Sequence, residues 1–252
     1  MIPETDVFSP FGMDAFSSNG VIMTAGVNST DIRVRFGELL RGSNWIIAGE
    51  LIVLIALCFA RVFPFSVQLL LLGFTSLSLW LRGLTWRDVG LRSSMAWWKI
   101  ALRAVVTAVL IAVIANVLVQ PFLDRLISRP VNNSRFDNLH GNLKVLLRWL
   151  ALVWTIVAFG EEMVFRGYLM NRITDLAGKT RTGWVLALLG SSLIFGLAHG
   201  YQGPAGIIST GEVGLLFGIL YLVSKRNLWA NIVCHGVFDS ISLITLYYSR
   251  SA

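Results

Sequence analysis

Long apolar stretches alternate along the chain with short polar connections that contain arginine and lysine. A bilayer core about 30 Å thick needs about 20 helical residues to cross it. An open sheet would leave backbone groups unpaired in lipid, and the alternation typical of a membrane barrel is absent. The pattern therefore predicts an all-α, polytopic helical bundle with about seven transmembrane helices. The seven candidates are Trp45–Ala60, Phe63–Leu81, Trp98–Val119, Leu146–Ile173, Trp184–Pro204, Ile207–Val223 and Leu228–Tyr248.

The first 41 residues differ from the rest, because polar and apolar residues are mixed there and glycine and serine are frequent. We expect residues 1–41 to be an N-terminal tail or a segment on the membrane surface, and residues 42–252 to form the transmembrane domain. The chain begins MIPETDVFSPFG. This start lacks the basic residues and the apolar core of a secretory signal, so no cleavage is expected there.

Composition supports a membrane protein. Of the 252 residues, 55% are hydrophobic and 14% are charged, whereas soluble domains carry about 25% charged residues. The net charge is +7, and its basic residues lie mainly between the apolar stretches, as the positive-inside tendency requires. Nucleic acid is therefore not an expected partner. Cys58 and Cys234 both lie within apolar stretches, which is typical of small buried residues rather than of a disulfide or metal site.

Ionisable residues inside apolar spans are costly to bury, and they commonly mark a functional pathway or site. Six of the nine such residues fall into three short clusters. Glu50 and Glu212 lie outside these clusters and could line a water route or pair with Arg103. The nine are Glu50, Arg103, Glu161, Glu162, Arg166, His199, Glu212, His235 and Asp239.

The first cluster is the segment from Gly160 to Arg166. Glu162 and Arg166 are four residues apart, so they share one helix face and can form an ion pair. Glu161 is rotated about 100° from Glu162 and remains free to act as a general base. A charged helix end with no catalytic role is the alternative interpretation.

The other two clusters add histidines. Phe195 and His199 share one helix face, and His235 and Asp239 share another, so Asp239 could orient or charge the His235 imidazole. Taken singly, each histidine could be a hydrogen-bonded structural residue. Together, three helices each present a Glu or a His, and these are the groups that hydrolysis needs.

These motifs, in this order, resemble the CPBP family of intramembrane proteases, which is named for CAAX proteases and bacteriocin-processing enzymes and is also called the Abi family. The family pattern is Glu-Glu-x-x-x-Arg, then Phe-x-x-x-His, then His-x-x-x-Asn or Asp. Here the three motifs read Glu161 to Arg166, Phe195 to His199 and His235 to Asp239. The string Trp86-Arg-Asp-Val-Gly-Leu91 also fits, and the similarity extends over roughly residues 83 to 245.

The resemblance implies an endopeptidase that cleaves a membrane-embedded or lipid-anchored protein or peptide. It implies that Glu161 and His199 activate a water, that His235 and Asp239 assist the oxyanion, and that Glu162, Arg166 and Phe195 support them. CAAX endopeptidases have Asn where this chain has Asp239. An ionised Asp cannot donate a hydrogen bond, so Asp239 must either be protonated or act by orienting a charged His235.

Several alternatives stay open. The sequence predicts no particular cofactor. The same residue types would also suit zinc. However, the common His-Glu-x-x-His helix of zinc proteases is absent, because all three histidines precede glycine. A proton- or ion-coupled transporter could use the same groups, and a non-catalytic immunity protein could keep the same helices. The expected location is the cell membrane of a bacterium, with the lipid bilayer as a partner.

Overall fold

The computed structural model describes residues 32–59, 64–92, 96–127 and 130–249, and no strand occurs among them. The all-α, polytopic fold is confirmed. Five helices are long and apolar enough to cross a membrane, and two further apolar helices are shorter. The helices are α1 (Ile32–Gly42), α2 (Asn44–Cys58), α3 (Pro64–Leu81), α4 (Trp97–Leu126), α5 (Leu143–Ala177), α6 (Arg181–Ala198), α7 (Gly203–Val223) and α8 (Leu228–Tyr248).

The seven predicted spans correspond to α2 through α8. The ends Ala60 and Phe63 lie outside the described residues, as do residues 1–31 of the predicted tail. The described end of that tail forms most of helix α1, which runs from Ile32 to Gly42. The predicted span Leu146–Ile173 extends at both ends to become α5.

The predicted boundary at Pro204 is wrong. Helix α6 ends at Ala198, the chain makes a 3₁₀ turn over Gly200–Gln202, and α7 begins at Gly203. Proline lacks a backbone N–H and is favoured in the first turn of a helix, where no intrahelical partner is needed. Pro204 therefore begins the following helix, and His199 lies at the end of α6 instead of inside it.

Helix α4 continues beyond its predicted end at Val119 because a π-helical turn precedes its proline. The turn covers Ile114–Val119, and the helix then proceeds through Pro121 to Leu126. Wide π turns are one of the adjustments by which a helix accommodates a proline. Helix α5 contains two π turns, Val153–Val157 and Glu162–Leu169, which lie on either side of Glu161.

Side-chain caps fix where several helices begin. The Oγ atom of Ser43 accepts a hydrogen bond from the backbone of Ile46 at the start of α2, at 3.4 Å. Asn142, Thr180 and Asn227 cap α5, α6 and α8 in the same way. Such caps satisfy backbone N–H groups that have no partner within the helix, and each contributes about 1 kcal/mol.

Small residues let neighbouring helices approach closely. A Cβ atom at Gly196 would lie 2.5 Å from the carbonyl oxygen of Ile207 and 2.9 Å from the Cα atom of Gly211. Helices α6 and α7 are therefore in backbone contact just before His199. Helices α4 and α8 pack through a cluster that includes Ala104, Ala108 and Cys234.

Helix α2 is short for a membrane. It contains 15 residues, which correspond to a length of about 22 Å at 1.5 Å per residue. Helices α2 and α3 both pack against α5 through a shared core that includes Leu54, Leu71 and Leu169. The short helix α2 therefore lies beside the helix that carries Glu161 and Glu162.

Candidate active site

Glu162 is the centre of a buried hydrogen-bond network on α5. Its side chain is 0% exposed and forms the predicted ion pair with Arg166, whose Nη1 lies 2.8 Å from Oε1. Asn231 donates to Oε2 at 3.1 Å, and Nδ1 of His235 lies 2.8 Å from Oε1. A buried carboxylate is tolerated when its charge and its lone pairs are matched in this way.

Arg166 connects this network to two further helices. Its Nη2 donates to the backbone oxygen of Gly214 on α7 at 2.9 Å. The guanidinium lies over two aromatic rings, 4.6 Å from the centroid of Phe195 and 5.4 Å from that of Phe217. Phe195 thus contacts both this buried pair and His199, whose ring centroid is 4.8 Å away.

His235 faces acidic side chains through both of its ring nitrogens. Nδ1 contacts Glu162, while Nε2 lies 3.4 Å from Oδ2 of Asp239 and 3.9 Å from Oε2 of Glu161. Because an ionised carboxylate can only accept, contacts of this kind on both nitrogens favour the doubly protonated imidazolium. The sequence prediction that Asp239 contacts the imidazole matches this geometry.

His199 is held by its own helix. Its Nδ1 lies 2.8 Å from the backbone oxygen of Phe195. Because a carbonyl oxygen only accepts, Nδ1 must carry the proton, and in the neutral ring Nε2 is then an acceptor. His199 also lies 5.8 Å from the ring of Tyr201, measured between centroids. Glu161 interacts electrostatically with His199, His235 and Asp239.

The four predicted catalytic side chains line one cavity of about 1080 Å³. Glu161, His199, His235 and Asp239 come from α5, from the end of α6 and from α8, and Phe195 lines the same cavity. Glu162 and Arg166 do not line it. Apolar residues form much of the remaining wall, among them Val109, Val113, Val153, Val157 and Phe238. The cavity has room for water and for an extended peptide segment next to the four polar groups.

The segment before α5 forms part of the cavity wall. The guanidinium of Arg135 lies 4.0 Å above the ring of Tyr201, and both residues line the cavity. The backbone of Asn132 donates to the carbonyl oxygen of Gln202 at 2.9 Å. This segment is therefore tied to the turn that follows His199.

Two residues near the site were not identified from the sequence. Asn231 precedes His235 by four residues, so an Asn-x-x-x-His-x-x-x-Asp stripe on one face of α8 could have revealed it. Gln68 lines the cavity from α3. A lone glutamine in an apolar stretch gives no local signal, because only the packing of α3 on α5 brings it to the site.

The remaining ionisable residues have other surroundings. Glu50 pairs with Arg82, with Nη1 2.6 Å from Oε1, so the suggested pairing of Glu50 with Arg103 is wrong. Tyr168 and Ser78 also bond to Glu50, and this cluster joins α2 and α3 to α5. Glu212 does not line the cavity.

The donor atoms of the site bear on whether it could hold a metal ion. Across the described ranges, no group of three or more His, Cys, Asp or Glu side chains is arranged to hold one. The Nδ1 atoms of His199 and His235 are both engaged by the protein. Each of these histidines therefore keeps only Nε2 for a further partner, and the chemistry proposed below uses the side chains alone.

Residues 142–241 match one protein family model, which is described as Type II CAAX prenyl endopeptidase Rce1-like. The matched segment contains α6, α7 and all three motifs of the cavity. No curated protein and no solved structure matches the chain.

Proposed function

We propose that this chain is an intramembrane endopeptidase that hydrolyses a peptide bond of a membrane-associated protein or peptide, because residues 142–241 match the family model of Type II CAAX prenyl endopeptidases. The family match confirms the resemblance predicted from the motifs and supports an intramembrane protease. The observation that carries the proposal further is the meeting of Glu161, His199, His235 and Asp239 in one cavity inside an apolar helical bundle.

Glu161 and His199 are the groups proposed to activate water. Glu161 is the carboxylate of the pair that has no arginine partner, since Arg166 is engaged by Glu162. The Nε2 atom of His199 is left as an acceptor by the contact of Nδ1 with Phe195. A water held between the two would lose its proton to Glu161 as its oxygen attacks the carbonyl carbon. The same proton then passes to the departing amine.

His235 and Asp239 are proposed to act on the opposite side of the reacting carbonyl. As the tetrahedral intermediate forms, negative charge develops on the carbonyl oxygen, and Nε2–H of the His235 imidazolium can donate to it. Asp239, 3.4 Å from Nε2, stabilises the charged imidazole and orients it. Glu162 holds the other side of the ring, so the imidazolium is fixed before substrate arrives.

The proposal is tested with the full chain in lipid nanodiscs and a farnesylated peptide that ends in a CAAX sequence and carries a fluorophore and a quencher. Wild type should cleave it, and Glu161→Gln, His199→Ala and His235→Ala should each lower kcat by at least about 10²-fold. The matched control is Glu212→Gln, the same change at a membrane glutamate outside the cavity, which should keep full activity. Full activity of Glu161→Gln would contradict the proposal, and no cleavage by wild type would refute a prenylated C-terminus as the substrate class.

A proton- or ion-coupled transporter is the competing class. It needs ionisable groups spread along a route through the bundle, whereas here four of them gather at one place. Proteoliposomes that contain the chain should show no flux of protons or cations that depends on Glu161.

The proposal also includes the type of substrate and the location of the protein, which we expect to be the cell membrane of a bacterium. The substrate classes expected are a prenylated C-terminus, a leader peptide or a membrane regulator. Comparison of membrane-anchored peptides from cells that express wild type or Glu161→Gln would identify the class, because uncleaved substrate should accumulate with the variant.

A further inference from the structure

The wall of the cavity contains one arginine among several acidic side chains. The carboxyl groups of Asp124, Glu161 and Asp239 all lie in this wall. Of the described residues that line the cavity, Arg135 is the only lysine or arginine. The ion pairs found among the described residues do not include Arg135. The cavity therefore presents a permanently charged guanidinium that no carboxylate of the described chain neutralises.

Arg135 is exposed to the cavity, yet its guanidinium and its segment are both held in place. The Cζ atom of Arg135 lies 4.0 Å from the ring centroid of Tyr201. The next residue, Phe136, packs on Trp149 of α5, with ring centroids 4.9 Å apart. A guanidinium that stacks through its face keeps the N–H groups along its edge for another partner. The structure therefore fixes this cation while leaving its hydrogen-bond donors available.

Tyr201 also connects Arg135 to the reacting groups. Its ring lies between the guanidinium, 4.0 Å away, and the ring of His199, 5.8 Å away between centroids, so Arg135 is within about 10 Å of His199. An extended chain covers about 3.3–3.6 Å per residue. About three residues are therefore enough to reach from a scissile bond at His199 to the guanidinium of Arg135.

We propose that Arg135 determines substrate specificity by binding the free C-terminal carboxylate of a substrate that is cleaved about three residues before its end. This inference rests on the proposed function. The paired N–H groups at the edge of a guanidinium match the two oxygens of a carboxylate. The acidic side chains of the wall would repel an incoming carboxylate, and the charge of Arg135 offsets that repulsion. Leader peptides and internal sites of membrane regulators have no carboxylate at this distance, so a free C-terminus is the preferred substrate.

The test compares two farnesylated fluorogenic peptides that differ only at the C-terminus, which is a free carboxylate in one and a carboxamide in the other. The quencher is attached to a side chain, so that the end group stays unmodified. With the full chain in nanodiscs, kcat/KM of wild type should be about 10–10²-fold higher for the acid, as expected for charge-assisted hydrogen bonds. Arg135→Gln should lower kcat/KM for the acid by that factor and leave cleavage of the amide unchanged. Arg135→Lys should keep part of the preference, because it retains the charge without the paired donors.

The matched control is Arg125→Gln. Arg125 is an exposed arginine in the last turn of α4, and it does not line the cavity. The same loss of one positive charge there should leave the preference for the acid unchanged. Equal cleavage of acid and amide by wild type would overturn the inference, as would a preference that survives in Arg135→Gln. An equal loss for both peptides in Arg135→Gln would also overturn it, because it would indicate a structural role.

A binding measurement distinguishes failure of the inference from failure of the proposed function. The Kd values of labelled acid and amide peptides are measured by fluorescence anisotropy with Glu161→Gln in nanodiscs, with and without Arg135→Gln, against empty nanodiscs. The acid should bind about 10–10²-fold more tightly than the amide, and only when Arg135 is present. If this difference is found but wild type cleaves neither peptide, the role of Arg135 stands and the prenylated C-terminus fails as the cleaved substrate. If wild type cleaves both peptides and the difference is absent, the protease stands and the role of Arg135 is refuted.

Discussion

The adjacent residues Glu161 and Glu162 allow a direct test of how the site is built, because the same substitution should affect stability at one position and activity at the other. Glu162→Gln removes the charge that faces Arg166 in a fully buried network. Glu161→Gln changes a side chain whose nearest cationic partner is His235, at 3.9 Å. We therefore expect the first variant to lose stability and the second to lose activity.

The size of the effect follows from the contacts. Glu162 accepts from Arg166 and Asn231, and lies 2.8 Å from Nδ1 of His235. A glutamine keeps one acceptor oxygen, but it places an NH₂ group against at least one donor and leaves the guanidinium without a counter-charge. Removing one partner of a buried ion pair typically costs 3–5 kcal/mol, so we expect about that loss for Glu162→Gln. Glu161→Gln should lower the unfolding free energy much less, because its carboxylate lines the cavity and pairs with no arginine.

The measurement is equilibrium unfolding of both variants and wild type in the same detergent micelles, followed by circular dichroism, with peptide cleavage measured on the same preparations. Glu161→Gln should unfold like wild type and be inactive. Adding Arg166→Met to Glu162→Gln should recover part of the lost stability, because the uncompensated charge is removed as well. Equal stability losses in the two single variants would refute the assignment of one structural and one free carboxylate.

Three further predictions follow from the same structure. Gly196→Ala should lower the unfolding free energy by about 1–3 kcal/mol, because the added methyl group would clash between α6 and α7, and it should reduce cleavage. The control Gly73→Ala, which has nothing within 4 Å of the added Cβ atom, should be neutral or stabilising in the same unfolding assay. Arg82→Met should lower the unfolding free energy by about 3–5 kcal/mol, because it leaves Glu50 without its arginine partner. The same change at Lys179, whose side chain is 65% exposed, should change the unfolding free energy by no more than about 1 kcal/mol. Equal losses in the two variants would contradict this prediction. Cleavage of the farnesylated peptide should continue after exhaustive chelation, and loss of activity restored by zinc would contradict a reaction carried by side chains alone.

Much of the fold could be predicted because apolar length and helical spacing are local properties. The seven apolar stretches and the pairing of Glu162 with Arg166 depend only on nearby residues. The end of α6 could not be placed from hydropathy, since the apolar pattern runs past Ala198. The apolar pattern predicts Pro204 at the end of one helix, whereas it occupies the first turn of the next.

The site was predictable where one motif lies on one helix, and not where packing joins different helices. The spacing of His235 and Asp239 indicated their contact directly. The contacts of Glu162 with Asn231 and His235 join α5 to α8 over more than 60 positions of sequence, and Gln68 reaches the cavity from α3. No local pattern encodes such distances, so these contacts required the three-dimensional arrangement.

The limited length of α2 has a consequence for the supply of water in the proposed reaction. Lipid chains adjust to the protein that they surround, and a short apolar helix draws the two leaflets together locally at a modest energetic cost. Hydrocarbon fitted to a helix of about 22 Å is thinner than the usual 30 Å. Water on that side of the bundle would then cross a thinner apolar layer to reach the helix that carries Glu161, so the proposed hydrolysis would need no permanent pore through the bundle.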